Sequence, residues 1–201
     1  PRLPFQGWIT ADVGRELLSH AGLDLDAMYA AATQPGFTAK PLGASVDVHL
    51  PSSIRQGSSD NVMGLIRGSA RPDEVVVYMA HWDHLGKDES LQGNQVFNGA
   101  VDNAAGTAMV LEIAEAFSRL QVTPRRSIIF IAVSGEEKGL LGARHFADNP
   151  TVPRDSIIAN INMDMVGRSP HPDTVAVLGQ AFSSMGPLVQ DINRAHPELR
   201  L

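Results

Sequence analysis

Three short apolar runs stand out along the chain: Glu74 to Ala80, Ser127 to Val133 and Ile157 to Met163. Each is bounded by polar residues, the pattern of strands buried on both faces of a sheet. Helical periodicity fills the intervals. Met109, Val110, Ile113, Ala114 and Phe117 recur at helix spacing within Ala104 to Leu120, and a shorter stripe lies in Gly139 to Ala147. A further strand is predicted at Thr174 to Leu178, then a helix from about Ser183 to Ala195 with Ser184 as its cap. Strands alternating with helices predict an α/β layered domain with a mostly parallel central sheet. Ahead of them, the alternation of Val46, Val48 and Leu50 predicts a strand. A second strand at Asn61 to Ile66, after the polar turn Gln56-Gly57-Ser58-Ser59, would complete a hairpin. Residues 1–42 have another character: a short helix capped in Thr10-Ala11-Asp12, a second capped by Asp24 or Asp26, and then Gln34-Pro35-Gly36 and Lys40-Pro41-Leu42-Gly43. The reading divides the chain near residue 42.

Composition narrows what such a domain can do. The 201 residues are 43% hydrophobic, enough for a real core, and carry 22 acidic against 16 basic side chains for a net charge of −6. A mild acidic excess without a basic stripe gives no electrostatic footprint for nucleic acid or an anionic membrane. No apolar run reaches the roughly 18 residues of a membrane span, and Pro1-Arg2-Leu3-Pro4-Phe5 lacks the layout of a signal peptide. There is no cysteine, which excludes a thiol nucleophile and thiolate metal ligands. Any metal must sit on His, Asp and Glu.

Active sites of open α/β sheets form where strands end and loops begin. Each buried run here ends in such residues: Ala80-His81-Trp82-Asp83-His84, Ser134-Gly135-Glu136-Glu137 and Asn162-Met163-Asp164-Met165. A further acid, Asp102, stands at the entrance of the long helix in Asn98-Gly99-Ala100-Val101-Asp102-Asn103-Ala104-Ala105-Gly106. Singly, each has an ordinary explanation: Asp102 as a helix cap, Glu136-Glu137 as acids on a first helical turn, Asp164 as a turn residue, His81 as a solvated loop residue. Together they would repel one another unless a cation joined them. With only N and O ligands, divalent zinc is the leading candidate, and an acid shared between two ions would make a two-metal site. In His81-x-Asp83 the carboxylate can orient a ligating imidazole. Of Glu136 and Glu137, one can bind metal while the other serves as general base.

These four segments, extended to Ala80–Gly86, Asn98–Gly106, Ser134–Gly142 and Asn160–Gly167, resemble the successive motifs of the co-catalytic zinc aminopeptidases of metallopeptidase family twenty-eight. The resemblance implies a three-layer α/β/α sandwich with a mostly parallel, mixed sheet. It implies that His81 and Asp164 bind one zinc, that Glu137 binds the other and that Asp102 bridges both. Asp83 would orient His81, and Glu136 would take a proton from the bridging water and pass it to the leaving amine. The substrate would be a peptide with a free N-terminus, and export would be expected, since bacterial members are commonly exported. Residues 1–42 resemble the tail of a protease-associated domain, with 43–201 forming the catalytic domain.

One departure matters. The family pattern has a fifth ligand, a histidine on a later loop beside the ion held by Glu137. After Asp164 come only His171, between two prolines, and His196, before Pro197, neither in that setting. His20, His49, His84 and His145 read as surface or helix-face positions. The fifth histidine is therefore expected beyond residue 201, with the catalytic domain truncated at its C-terminus and activity weak or absent. Two competing readings share the motifs: a related zinc deacylase or carboxypeptidase, and a non-catalytic binding ectodomain. Setting aside Asp83, Asp102, Glu136, Glu137 and Asp164 leaves 17 acids against 16 basic residues, so the acidity is local.

Overall fold

The computed structural model describes residues 7–54, 56–167 and 175–200. They fall into two compact units, divided along the chain between positions 55 and 56.

The first unit holds α1 (Ala11–His20) and α2 (Leu25–Ala32), capped by the side chains of Thr10 and Asp24. Arg15 and Asp26 tie the two helices together at 2.8 Å, and Gly14 is the one buried residue among those described. Two helices this short cannot enclose a core. Beyond them, residues 33–54 form turns and irregular chain. The strand expected over Val46 to Leu50 does not form: all three apolar side chains are exposed, and among the described residues no second strand pairs with them.

In the second unit, β1 (Val62–Ile66), β2 (Arg71–His81), β5 (Arg126–Val133) and β6 (Ile157–Asn162) make a four-stranded sheet in the order β1-β5-β2-β6. A two-stranded ribbon of β3 (Gly86–Lys87) and β4 (Val96–Phe97) branches off after β2. β2 runs parallel to both β5 and β6, while β1 is antiparallel to β5. The second strand of the expected hairpin therefore exists but pairs across the sheet, with Gly64 opposite Phe130. The connections carry α3 (Ala105–Ser118) and α4 (Leu141–Asp148).

The layers follow from strand alternation. Val75, Val77, Met79, Ile129, Ile131 and Val133 point to the face covered by Phe146 of α4. Ala80, Ile128 and Phe130 point to the opposite face and pack on Val110, Ile113 and Phe117 of α3. Tyr78, Phe117 and Phe130 form an aromatic cluster there, with ring centroids 5.7–6.1 Å apart. The result is a mixed, mostly parallel sheet between helices, as expected.

β6 departs from the two-sided burial read into its sequence. Its residues alternate between half-buried and exposed, with Ile158 half open to solvent, because among the described residues it is an edge strand. The strand expected at Thr174 to Leu178 is likewise absent from its described part, residues 175–178; Thr174 lies outside the described residues. α5 (Met185–Ala195) follows Ser184, but the side chain that reaches the helix start belongs to Ser183, which accepts from the Met185 N–H.

The topology fixes where a site can form. The chain passes from β2 through α3 to β5 on one side of β2, then through α4 to β6 on its other side. The carboxyl ends of β2, β5 and β6 therefore open together at a switch point, where open α/β sheets place their ligands.

Candidate metal centre

His81 is the last residue of β2, level with Val133 of β5 and almost wholly buried. Its Nδ1 lies 3.0 Å from the main-chain carbonyl oxygen of Asp83. A carbonyl only accepts, so Nδ1 carries the proton and Nε2 turns a lone pair into the site. Asp102 Oδ1 is 3.0 Å and Asp164 Oδ1 3.5 Å from that nitrogen, yet Nε2 is buried without a hydrogen bond.

Asp102 reaches this position because it escapes the helix it precedes. A π-helical turn at Ala100–Ala104 contains non-helical dihedrals at Asp102 and Asn103. The capping role that a sequence reading offers to Asp102 falls to Asn103, whose side-chain oxygen accepts from Gly106 N–H at 3.0 Å. The Asn103 amide donates to the Met163 carbonyl at 2.9 Å, tying the start of α3 to the residue before Asp164. Thr107 adds a hydrogen bond to the carbonyl of His81. The Asp102 carboxylate is thus left for the site.

Glu136 and Glu137 lie on a tight 3-10 turn after β5, entered through Gly135 at φ +72° and left through Gly139 at φ +104°. They stand before α4, outside its first turn. The carboxylate of Asp83 accepts the Glu136 N–H at 3.3 Å, while its distance to His81 Nδ1 is 3.9 Å. Asp83 therefore touches His81 through its backbone and holds the glutamate turn through its side chain.

Among the described residues two groups of convergent ligand atoms result: His81, Asp102 and Asp164, and His84, Asp102 and Glu137. Asp102 belongs to both. The second group contains a histidine that reads as a surface residue in the sequence. His84 is largely buried, with Nδ1 2.7 Å from Glu137 Oε1, because the chain turns back after β2 instead of running into solvent. The three-residue offset from His81 was the only signal that could have found it. His20, His49, His145 and His196 are exposed, and His171 lies outside the described residues.

Electrostatics call for a cation here. Burial opposes charge on His81, but the Asp83 carbonyl and the carboxylates of Asp164, Glu136 and Asp102 outweigh it and raise its pKa. Burial also raises the pKa of Glu136; His81 opposes this, and Glu137, Asp164 and Asp102 add to it. Ligand atoms on a tetrahedral zinc stand roughly 3.3 Å apart, given bond lengths near 2.0–2.1 Å. The spacings around His81 Nε2 match that edge. With its orphaned nitrogen and all-N,O donors, the group fits zinc.

Comparisons with known proteins agree with this geometry. The mouse (Mus musculus) aminopeptidase NAALADL1 is 34% identical over 139 residues, covering 65% of this chain and 17% of that protein. A probable zinc metalloprotease of Pyrenophora teres f. teres (strain 0-1) is 37% identical over 113 residues, 56% of this chain and 23% of the relative. The chain thus spans less than a quarter of the length of either. The structure of BSAP, a zinc aminopeptidase from Bacillus subtilis, superposes with a TM-score of 0.53 at 26% identity, over 67% of this chain and 32% of that one. The model of peptidase family M28 matches residues 61–198, from the start of the sheet to the last turn and across every ligand atom above, and the chain belongs to that family.

Proposed function

We propose that the protein is a zinc-dependent aminopeptidase, with residues 43–201 contributing the catalytic core. The observation that carries this is Asp102, whose carboxylate faces both His81 with Asp164 and Glu137 at the open end of the sheet. In this reading His81 and Asp164 would hold one ion and Glu137 a second, with Asp102 available to both. Zinc bound there would supply a Lewis acid for the scissile carbonyl and lower the pKa of an attacking water. The backbone carbonyl of Asp83 keeps His81 in the tautomer that presents Nε2. Glu136, on the tight turn braced by the Asp83 carboxylate, takes the proton from the attacking water and returns it to the departing amine. The surrounding carboxylates favour the positive α-amine of a free peptide N-terminus, which makes the action exopeptidic.

The test is the zinc-loaded full-length protein with paired peptides, one with a free N-terminus and one N-acetylated. The expected result is stepwise release of N-terminal residues from the free peptide, loss of that activity on chelation and its return with zinc. Cleavage confined to the acetylated peptide overturns the aminopeptidase assignment in favour of a deacylase or carboxypeptidase. By the same resemblance, residues 1–42 are the tail of a protease-associated domain and the protein works outside the cytoplasm. Fractionation of expressing cells tests the latter. Among the described residues no helix is long and apolar enough to cross a membrane.

A further inference from the structure

We infer that Asn61 is a positioning residue for the proposed reaction: its side-chain amide closes the neck of the loop that carries Glu136 and Glu137. The inference rests on the aminopeptidase reading above. Asn61 stands immediately before β1, whose first residue, Val62, pairs with Ala132 near the end of β5. It therefore lies beside the point where β5 gives way to the loop. There the amide makes two hydrogen bonds at once: Oδ1 accepts from the Ser134 N–H at 3.1 Å, and Nδ2 donates to the Gly142 carbonyl at 2.9 Å. A backbone N–H only donates and a carbonyl only accepts, so no other orientation of the amide satisfies both. Ser134 and Gly142 open and close the loop, and they also meet directly, the Gly142 N–H donating to the Ser134 carbonyl at 2.7 Å. One planar group thus fixes both sides of the neck, and the turn with Glu136 projects from it.

Gly142 is shaped to this contact. A Cβ there would lie 2.3 Å from Asn61 Oδ1 and 2.5 Å from the Ser134 carbonyl oxygen, so the neck closes only because that residue is glycine. Neighbours of Asn61 extend the brace. Ser59 Oγ accepts from Ser134 Oγ at 2.7 Å, and the Asp60 carbonyl accepts at 3.3 Å from the indole of Trp82, which stands between His81 and Asp83. Residues 59–61 therefore reach the loops after both β2 and β5, with Asn61 the member that spans the glutamate loop. Asn61 is not among the convergent ligand groups. It acts through the position of Glu136, whose N–H reaches Asp83 Oδ1 at 3.3 Å. Freed at the neck, the turn carries that carboxylate away from the attacking water, and a misplacement on the order of 1 Å costs about 100-fold in rate.

Steady-state kinetics of the full-length protein at saturating zinc, with a peptide bearing a free N-terminus, test this. Asn61→Ala is expected to lower kcat at least about 10-fold, towards the roughly 100-fold that misplacement costs, with KM unchanged. In a Glu136→Gln chain the same substitution should change the residual kcat less than about twofold, because the base it positions is already gone. A merely structural role lowers both backgrounds by the same factor. Asn61→Asp keeps the shape and the acceptor for the Ser134 N–H but sets an oxygen against the Gly142 carbonyl, and should repeat the loss. In the wild type, the Asn61 side-chain amide protons should exchange with solvent more slowly than those of exposed asparagines, a result that needs no variant to fold. Wild-type kcat in Asn61→Ala, the same fractional loss in both backgrounds, or fast exchange of that amide overturns the inference, while an active wild type leaves the aminopeptidase reading standing. A wild-type chain without zinc-dependent turnover overturns both.

Discussion

Glu136 has neighbours that pull its carboxylate in opposite directions. Burial and three carboxylates favour its neutral form, and His81 favours the charged one. A group so balanced can take and return a proton, the requirement for a base that later acts as an acid. Glu136→Gln keeps the shape and every proposed ligand, so zinc content should be unchanged while kcat falls by about 10²–10⁴, the range such a group supplies. Near-normal kcat would refute the role. Asp83 gives a sharper contrast. Because its backbone carbonyl, not its carboxylate, lies against His81, Asp83→Ala should change zinc affinity less than the roughly tenfold minimum expected for loss of an orienting partner. The same variant removes the acceptor of the Glu136 N–H, so kcat should drop. Zinc titration beside steady-state kinetics separates the two effects. At this scale the sequence was legible where a side chain ends an apolar run, as His81 does. It was silent where a loop folds back: His84 has no periodic neighbours, and its burial depends on Gly99 and Phe97, which no local pattern links to it.

Elements become legible when their burial is two-sided and local. β2 and β5 announce themselves as unbroken apolar runs because helices cover both faces, and α3 by its stripe. Period-2 alternation is weaker information. Val46, Val48 and Leu50 alternate yet stay exposed, since a strand also needs a partner, and β1 found its partner in β5, more than sixty positions along the chain. The junction of α3 with the end of β6 depends on one missing side chain. A Cβ on Gly106 would come within 2.3 Å of both the Asn103 side-chain oxygen and the Met163 carbonyl oxygen. Gly106→Ala must push the helix start away from β6, at a cost of about 1–3 kcal/mol typical of overpacking. Urea unfolding should show that loss. Weakened zinc binding should accompany it, because Met163 immediately precedes Asp164.

For the molecule as a whole, one ion-pair cluster reports on acid stability away from the site. Glu74, near the start of β2, accepts from Arg126 of β5 and from Arg71, and the Arg126 hydrogen bond is the main cause of its lowered pKa. A carboxylate depressed in the folded state stabilises fully above its ordinary value of 4.5 and loses that contribution as the pH falls through the folded value. Glu74→Gln should therefore flatten part of the loss of Tm below that pH, and the difference from wild type should shrink in high salt because the groups are partly exposed. An equal acid slope in both proteins would count against it.

The sheet's margins carry a further consequence. Neither β1 nor β6 contains a charged residue or a proline, the devices by which outer strands discourage pairing with foreign chains. Among the described residues each pairs with a strand on one side only, and β6 adds the exposed Ile158. Concentrated solutions of this chain should thus self-associate by strand addition, visible as light scattering that grows with concentration. Ile158→Lys should suppress it without changing the fold, and unaltered scattering in that variant would acquit β6.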